Sequence, residues 1–191
     1  NHIIGKSTKI KNIKNICIKV SKSNSRILIS GPSGSGKETC ARFIHSLSNR
    51  MNHPFVVAAC ASLSNQMVDQ LLFGFNDSKN KNDAKSLFEQ ANNGTIYFNE
   101  ICDLPIDTQA KLINVIQDQS FYKYGSNKKI KIDIRVIAGT TIPPTAAIIG
   151  NNACFIFESS PCKNSLFISS VTKKKKIAIK ASLIQCNTDS L

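Results

Sequence analysis

The sequence predicts an α/β fold in which a mostly parallel sheet is covered by helices on both faces. Three observations carry this expectation. Short apolar runs rich in β-branched residues alternate with segments of helical spacing as far as Thr141. A glycine-rich loop, Gly31-Pro32-Ser33-Gly34-Ser35-Gly36-Lys37-Glu38, joins one such run to one such helix. Beyond Thr141 the alternation stops: residues 142–191 hold Pro143-Pro144, many Ser and Asn, and the run Lys173 to Lys176. The chain therefore divides into a core over 1–141 and a divergent tail over 142–191 whose structure the sequence does not define.

The elements follow in order. Ile10, Ile13, Ile16, Cys17 and Val20 share one helical face, with lysines opposite. Residues 26–30 form the first strand. Residues 38–48 form the next helix, with Cys40, Phe43, Ile44 and Leu47 as its inward positions. Phe55 to Ala59 is the second strand, and a helix runs from about Asn65 to Leu72. Residues 75–83 are polar and loop-like. Ala84 to Ala91 reads as a short helix closed by Asn92, Asn93 and Gly94, and Thr95 to Asn99 as the third strand. Pro105 suits a first helical turn, and Ile106, Ala110, Ile113 and Ile116 carry helical spacing to about Gln117. Ile130 to Ala138 supplies the last clear strand. In the tail, Leu166-Phe167-Ile168 and Ile177-Ala178-Ile179 are apolar runs compatible with strand or coil.

Strand, glycine loop, lysine and helix in that order make a phosphate site of the loop. Gly31, Gly34 and Gly36 tolerate positive φ and place no side chain between backbone and ligand. The loop N–H groups can ring a phosphate, with the helix N-terminus behind them. Lys37 would reach the outer phosphates of a nucleotide. The residue after that lysine is usually Ser or Thr, whose hydroxyl holds Mg²⁺; here it is Glu38, with Thr39 one place later.

Composition narrows the class. Hydrophobic residues make up 41% of the 191 residues, enough for a packed core, and no run of 18 apolar residues occurs. Seven cysteines (Cys17, Cys40, Cys60, Cys102, Cys154, Cys162, Cys186) are scattered without a CxxC pair, which fits a reduced cytoplasmic chain better than a disulfide framework or zinc site. Cys40, Cys60 and Cys102 read as small core residues, and His2, His45 and His53 show no metal spacing. The net charge is +13, carried mostly by lysines spread along the chain. A nucleic-acid face usually clusters Arg and Lys with aromatics between them, so a solvated basic surface is the better reading. The first residue is Asn1 rather than Met, as expected of a fragment.

Several strings together resemble one family, the AAA+ P-loop NTPase domain of NtrC-type, sigma-54-dependent response regulators, and within it the NtrX type. They are IIGKS (3–7), RILISGPSGSGKETCARFIH (26–45), PFVVAACASL (54–63), LLFG (71–74), the long stretch from Leu87 to Gly125, and IDIRVIAGTT (132–141). A Glu after the loop lysine is normal in this family. The resemblance implies an ATP-binding ring ATPase of two-component transcription regulation. By similarity, Ile3, Ile4 and Gly5 border the adenine. Gly31, Pro32, Ser33, Gly34, Ser35, Gly36 and Lys37 hold the phosphates, continued by Glu38 and Thr39, and Thr141 takes the polar sensor position.

The same resemblance exposes departures. The third strand should end in Asp-Glu, a metal-organising carboxylate beside one that polarises the attacking water. Here it ends in Asn99-Glu100: Glu100 keeps the catalytic role, while Asn99 is neutral and could serve Mg²⁺ only weakly, through water. Ala59 stands where the family has an Asn that restrains the catalytic Glu. Residues 75–86, FNDSKNKNDAKS, replace the polymerase-contacting GAFTGA loop, which argues against polymerase contact. No arginine follows Arg135 to act in trans, and the helical lid subdomain and DNA-binding helix-turn-helix are missing. Binding should thus be more intact than turnover. Two other readings stay open: a non-functional truncated or frameshifted remnant, and a basic nucleic-acid-binding module. No membrane association is expected.

Overall fold

The computed structural model describes residues 3–59, 65–75, 85–141 and 167–171. The expectations for Cys60, for the polar stretch 76–84, for the lid and for the lysine run fall outside the described residues. Among the described residues there are five α-helices, α1 (Thr8–Ser21), α2 (Lys37–Ser46), α3 (Asn65–Phe73), α4 (Leu87–Gln90) and α5 (Ile106–Asp118), and seven strands. These are β1 (Arg26–Ser30), β2 (Phe55–Ala59), β3 (Thr95–Asn99), β4 (Ser120–Tyr122), β5 (Lys129–Lys131), β6 (Arg135–Thr140) and β7 (Phe167–Val171).

The main sheet has the order β2-β3-β6-β1-β7. The first four strands are mutually parallel, and β7 pairs antiparallel with β1 at the edge. Strand alternation divides the core in two. On one face Leu28, Ile96, Phe98, Val136 and Ala138 pack with side chains of α3, α4 and α5, including Leu72, Phe88 and Leu112. On the other, Ile27, Ile29, Tyr97 and Ile137 pack with Ile13, Cys17, Cys40 and Ile44 of α1 and α2. This is the doubly covered, mostly parallel α/β sheet that the alternation of strands and helices predicts. Each fully buried Ile or Phe contributes about 1.5–3 kcal/mol. An exposed i,i+4 pair such as Glu38–Arg42 contributes only about 0.3–0.5 kcal/mol, so burial of the two sheet faces decides the fold.

Two arginines tie strand starts to helix ends. Arg26, opening β1, donates to the Ile116 carbonyl of α5 at 2.8 Å on one face. Arg135, opening β6, donates to Val20 and Ser21 carbonyls of α1 at 2.7 and 3.2 Å on the other. Each cation thereby meets orphan carbonyls at the negative end of a helix. Arg135 is fully buried, and burial, helped by the nearby Arg50, lowers its pKa to about 10.

Three expectations need correction. The run Ile130 to Ala138 is two strands. β5 pairs antiparallel with β4, a strand the sequence reading lacked, and only β6 joins the main sheet. Gln119, at φ +49, separates them by accepting Ile132 N–H on its carbonyl and Ile134 N–H on its side chain. On α2 Cys40 and Ile44 are buried as expected, joined by Ala41 and His45, and Phe43 packs half-buried against the same cluster, whereas Leu47 is exposed at the helix end. On α5 the buried positions are Thr108, Leu112 and Val115; Ile106 is exposed, and Ile113 and Ile116 are half-buried.

Thr108 and Lys111 of α5 reach Asp69 of α3. Thr108 donates to one carboxylate oxygen, and Lys111 and Tyr124 donate to the other at 2.6 and 2.8 Å. Burial would raise the Asp69 pKa, but donation from Lys111, Thr108 and Tyr124 outweighs it and holds the group below the usual carboxylate range. A depressed folded-state pKa gives stability that is present above the unfolded value, about 3.9, and is lost as pH falls through the folded value. Asp69→Asn is expected to cost about 1.5–3 kcal/mol near neutral pH. Urea unfolding across pH should show the gap from wild type closing below about pH 4.

Candidate functional site

The parallel strands β3, β6 and β1 end side by side, and the residues after each converge there. Ligands of open α/β sheets bind at this carboxyl edge because the loops, freed from the ladder, leave the sheet here. After β1 the chain enters the glycine loop; after β3 comes Glu100; after β6 comes Thr141.

The loop leaves the sheet under restraint. Ser30 is still in register with Thr140, and Gly31 N–H donates to the Thr140 carbonyl at 3.0 Å. Ser35 N–H then closes a turn onto the Pro32 carbonyl at 3.2 Å. Gly34 and Gly36 adopt φ of +76° and +85°, conformations that an L side chain rarely takes. A Cβ at Gly34 would meet nothing within 4 Å, so only its backbone conformation, and not crowding, calls for glycine there. Gly36 caps α2 without a side-chain hydrogen bond. No side chain of the cap therefore occupies the first-turn N–H groups, which suits an anion.

Lys37 opens α2 with its side chain folded back into the loop. Its ammonium donates to the Gly31 and Pro32 carbonyls at 2.9 and 3.2 Å and lies 2.9 Å from Glu100 Oε1. The other carboxylate oxygen, Oε2, accepts the Thr141 N–H at 2.7 Å. Glu100 itself sits at φ +58°, outside the strand conformation of Asn99, and this bend turns its side chain across the sheet edge. One carboxylate thus bridges the loop lysine and the end of β6.

The remaining candidates are distributed around this centre. Asn99 is half-buried and in register with Ala59 on β2. Ala59 has no side-chain polar atom to offer Glu100. Glu38 is committed to Arg42, at 2.7 Å, and Arg42 also lies over the Phe55 ring, 4.7 Å from its centroid. Thr39 is exposed in the first turn of α2. Ile3 packs against the apolar cluster that holds Cys40 and Ala41 of α2, whereas Ile4 is exposed. Gly5 follows at φ +142°, where a Cβ would fall 2.3 Å from Ile10 Cδ1. Thr141 contributes its main-chain N–H, and its side chain is exposed.

Sequence reasoning missed three contributors. The Thr140 carbonyl anchors the loop, and the Thr140 hydroxyl contacts Cys102 Sγ at 3.2 Å, tying the turn after β3 to β6. Gly139 is the third: a Cβ there would fall 2.4 Å from the Tyr97 hydroxyl, so the glycine leaves room for the tip of that buried ring. The string Ala138-Gly139-Thr140-Thr141 at a strand end carries a signal for all three, since a glycine inside a strand marks close approach.

Metal ligation is less well provided for. Among the described residues no group of three His, Cys, Asp or Glu side chains converges. The carboxylates at the site, Glu38 and Glu100, are both paired with cations. This donor set does not fit a site that holds a divalent ion by itself. No helix among the described residues is long and apolar enough to cross a membrane.

Comparison with known proteins places this geometry in context. The family model for the Sigma-54 interaction domain matches residues 3–153. Nitrogen assimilation regulatory protein NtrX of Azorhizobium caulinodans is 38% identical over 138 residues, which are 72% of this chain and 30% of the relative. The sigma54-dependent transcriptional regulator SfnR of Pseudomonas fluorescens is 42% identical over 132 residues, 68% of this chain and 36% of the relative. Crystal structures of NtrX from Brucella abortus in complex with ADP and with ATP each superpose with a TM-score of 0.69 at 35% identity. The match covers 74% of this chain and 31–32% of theirs. The chain spans only about a third of the length of these relatives.

The left-handed loop glycines give a direct structural expectation. Gly36→Ala should destabilise the protein by about 1–2 kcal/mol, although no atom lies within ordinary contact of the new methyl except Thr39 Cβ at 4.0 Å. Thermal denaturation should show the lower midpoint; an unchanged midpoint would mean that the loop rearranges to a right-handed path.

Proposed function

The chain belongs to the Sigma-54 interaction domain family, and on that premise we propose that it is the ATP-binding core of a sigma-54-dependent transcriptional regulator that turns nucleotide over slowly. The observation that carries the binding half is the loop Gly31 to Lys37. Its left-handed glycines, a helix start without a side-chain cap and an inward-folded lysine meet at the carboxyl edge of three parallel strands. A polyphosphate seated there receives loop N–H groups, the field of α2 and the Lys37 ammonium. The complexes of Brucella abortus NtrX with ADP and ATP support the choice of an adenine nucleotide. Ile3, Ile4 and Gly5 are assigned to the adenine side, since Ile3 shares an apolar cluster with α2.

The slow-turnover half rests on what surrounds Glu100. This carboxylate is the one group at the site suited to polarise an attacking water, and its oxygens are engaged by Lys37 and Thr141. Asn99 adds no charge beside it. The chain's arginines are Arg26, Arg42, Arg50 and Arg135, and each makes contacts within its own chain. An arginine supplied to the transferring phosphoryl group is worth about 10³–10⁵ in rate in related reactions, so commitment of these four elsewhere lowers turnover without touching the loop. We also assign Mg²⁺ to the nucleotide's own phosphates rather than to a preformed protein cage.

Kinship with transcription regulators supports a cytoplasmic location and a place in two-component signalling. A ring of copies, with nucleotide between neighbours, is the assembly proposed. No polymerase contact is assigned to residues 75–86, whose sequence lacks the GAFTGA loop.

Equilibrium binding and steady-state turnover test both halves on one purified protein. Wild type should bind ATP, and Lys37→Ala should weaken binding by about tenfold or more, about 1.4 kcal/mol. Wild-type turnover should stay near the assay background. Brisk turnover that disappears in Lys37→Ala would contradict the slow-hydrolysis half and leave the binding half standing.

A further inference from the structure

Lysines are spread along the chain, but carboxylates are not. Eight Lys and Arg residues precede the first carboxylate, Glu38, and residues 1–37 hold no Phe, Tyr or Trp. The fold turns this bias into a surface. Helix α1 buries Ile13, Ile16, Cys17 and Val20 in the cluster on one face of the sheet. Its opposite ridge, Lys11, Asn15, Ile18 and Lys22 at i, i+4, i+7 and i+11, is exposed, and Asn12 and Lys19 beside it are exposed as well. At about 1.5 Å per residue the ridge is about 16 Å long. Among the described residues no carboxylate pairs with Lys11, Lys19 or Lys22. The carboxylate of the neighbouring helix α2, Glu38, is committed to Arg42 at 2.7 Å.

We propose that the outward face of α1 is a docking surface for duplex DNA, whose phosphates are held by Lys11, Lys19 and Lys22. Like charge gathered on one face without a carboxylate is complementary to a polyanion. What the face lacks decides which polyanion. A helix that lies on a membrane needs an apolar face to bury there; that of α1 is buried in the core, and Ile18, at 42% exposure, is what its ridge offers instead. A single strand needs aromatic rings on which its bases stack, and this segment has none. Duplex phosphates need neither. They recur about every 3.4 Å of axis on each strand, so the ridge runs past several of them. Asn12 and Asn15 add neutral donors of the kind that bond phosphate oxygens. The contact reads charge rather than base sequence. It uses none of the residues Gly31 to Lys37, so it stands or falls separately from nucleotide binding.

Fluorescence anisotropy of a labelled DNA duplex tests this on the full chain. Wild type should bind at about 50 mM salt and lose about 40-fold or more in affinity by about 200 mM, as three or more phosphate contacts require. The triple variant Lys11→Gln, Lys19→Gln, Lys22→Gln should flatten the log–log salt slope by about 3, or about 1 for each lysine. The matched control is Lys128→Gln, Lys129→Gln, Lys131→Gln. It removes the same charge from exposed lysines at and before β5 and should keep the wild-type slope. Every substituted position is exposed, so thermal midpoints should stay near that of wild type. Lys22→Gln alone, expected to change the slope by about 1, serves if the α1 triple melts early. Equal flattening by both triples would overturn the proposal, because net charge would then account for the binding. Absence of duplex binding by wild type at about 50 mM salt would overturn it outright. Binding to vesicles of phosphatidylserine and phosphatidylcholine, with none to the duplex, would assign the face to a membrane and overturn it too.

Discussion

The ammonium of Lys37 lies within hydrogen-bonding reach of the Gly31 carbonyl and the Glu100 carboxylate, and Glu100 in turn holds the Thr141 N–H. Three strand ends are therefore joined by one cation and one anion. Removing either partner leaves the other shielded and uncompensated, a situation that costs far more than loss of an exposed pair. The parallel order of β3, β6 and β1 makes this possible, because it delivers all three chain segments to the same edge of the sheet. The loop glycines, the restraint by Thr140 and the bend at Glu100 are local answers to that single geometric demand.

Much of the fold was legible because the strands are short, apolar and bounded by turn residues. β1, β2 and β3 begin and end where the sequence places them, since Ser, Pro, Asn and Gly flank their apolar runs. The failures have specific causes. Ile130, Ile132, Ile134 and Val136 keep strict alternation, so the run reads as one strand. What breaks it is the Gln119 side chain and carbonyl, arriving from far earlier in the chain. On α5, Ile106, Ala110 and Ile113 carry an apolar stripe as regular as the true one. The buried face is Thr108, Leu112 and Val115, and it includes the bond from Thr108 to Asp69, a polar contact that periodicity cannot see.

The site was legible to a different degree. The loop motif marks Gly31 to Lys37 because the spacing of glycines and lysine is itself the chemistry. The coupling of Glu100 to Lys37 is not written in any local pattern, since the two residues meet only when β1 and β3 are assembled about β6. Arg26 and Arg135 illustrate the same limit. In sequence they are isolated basic residues at strand starts; in the fold they terminate α5 and α1 from opposite faces of the sheet. Their positions explain why a chain with net charge +13 can still have its arginines engaged internally.

Backbone amide NMR during an ADP titration tests the central claim most directly, because it reads the loop and the strand ends beside it residue by residue. Seating of a polyphosphate on the loop should shift the amides of Gly34 to Thr39 saturably and move the Thr141 amide, bonded to Glu100, with the same midpoint. Saturable shifts located elsewhere, or none at these positions, would contradict the account.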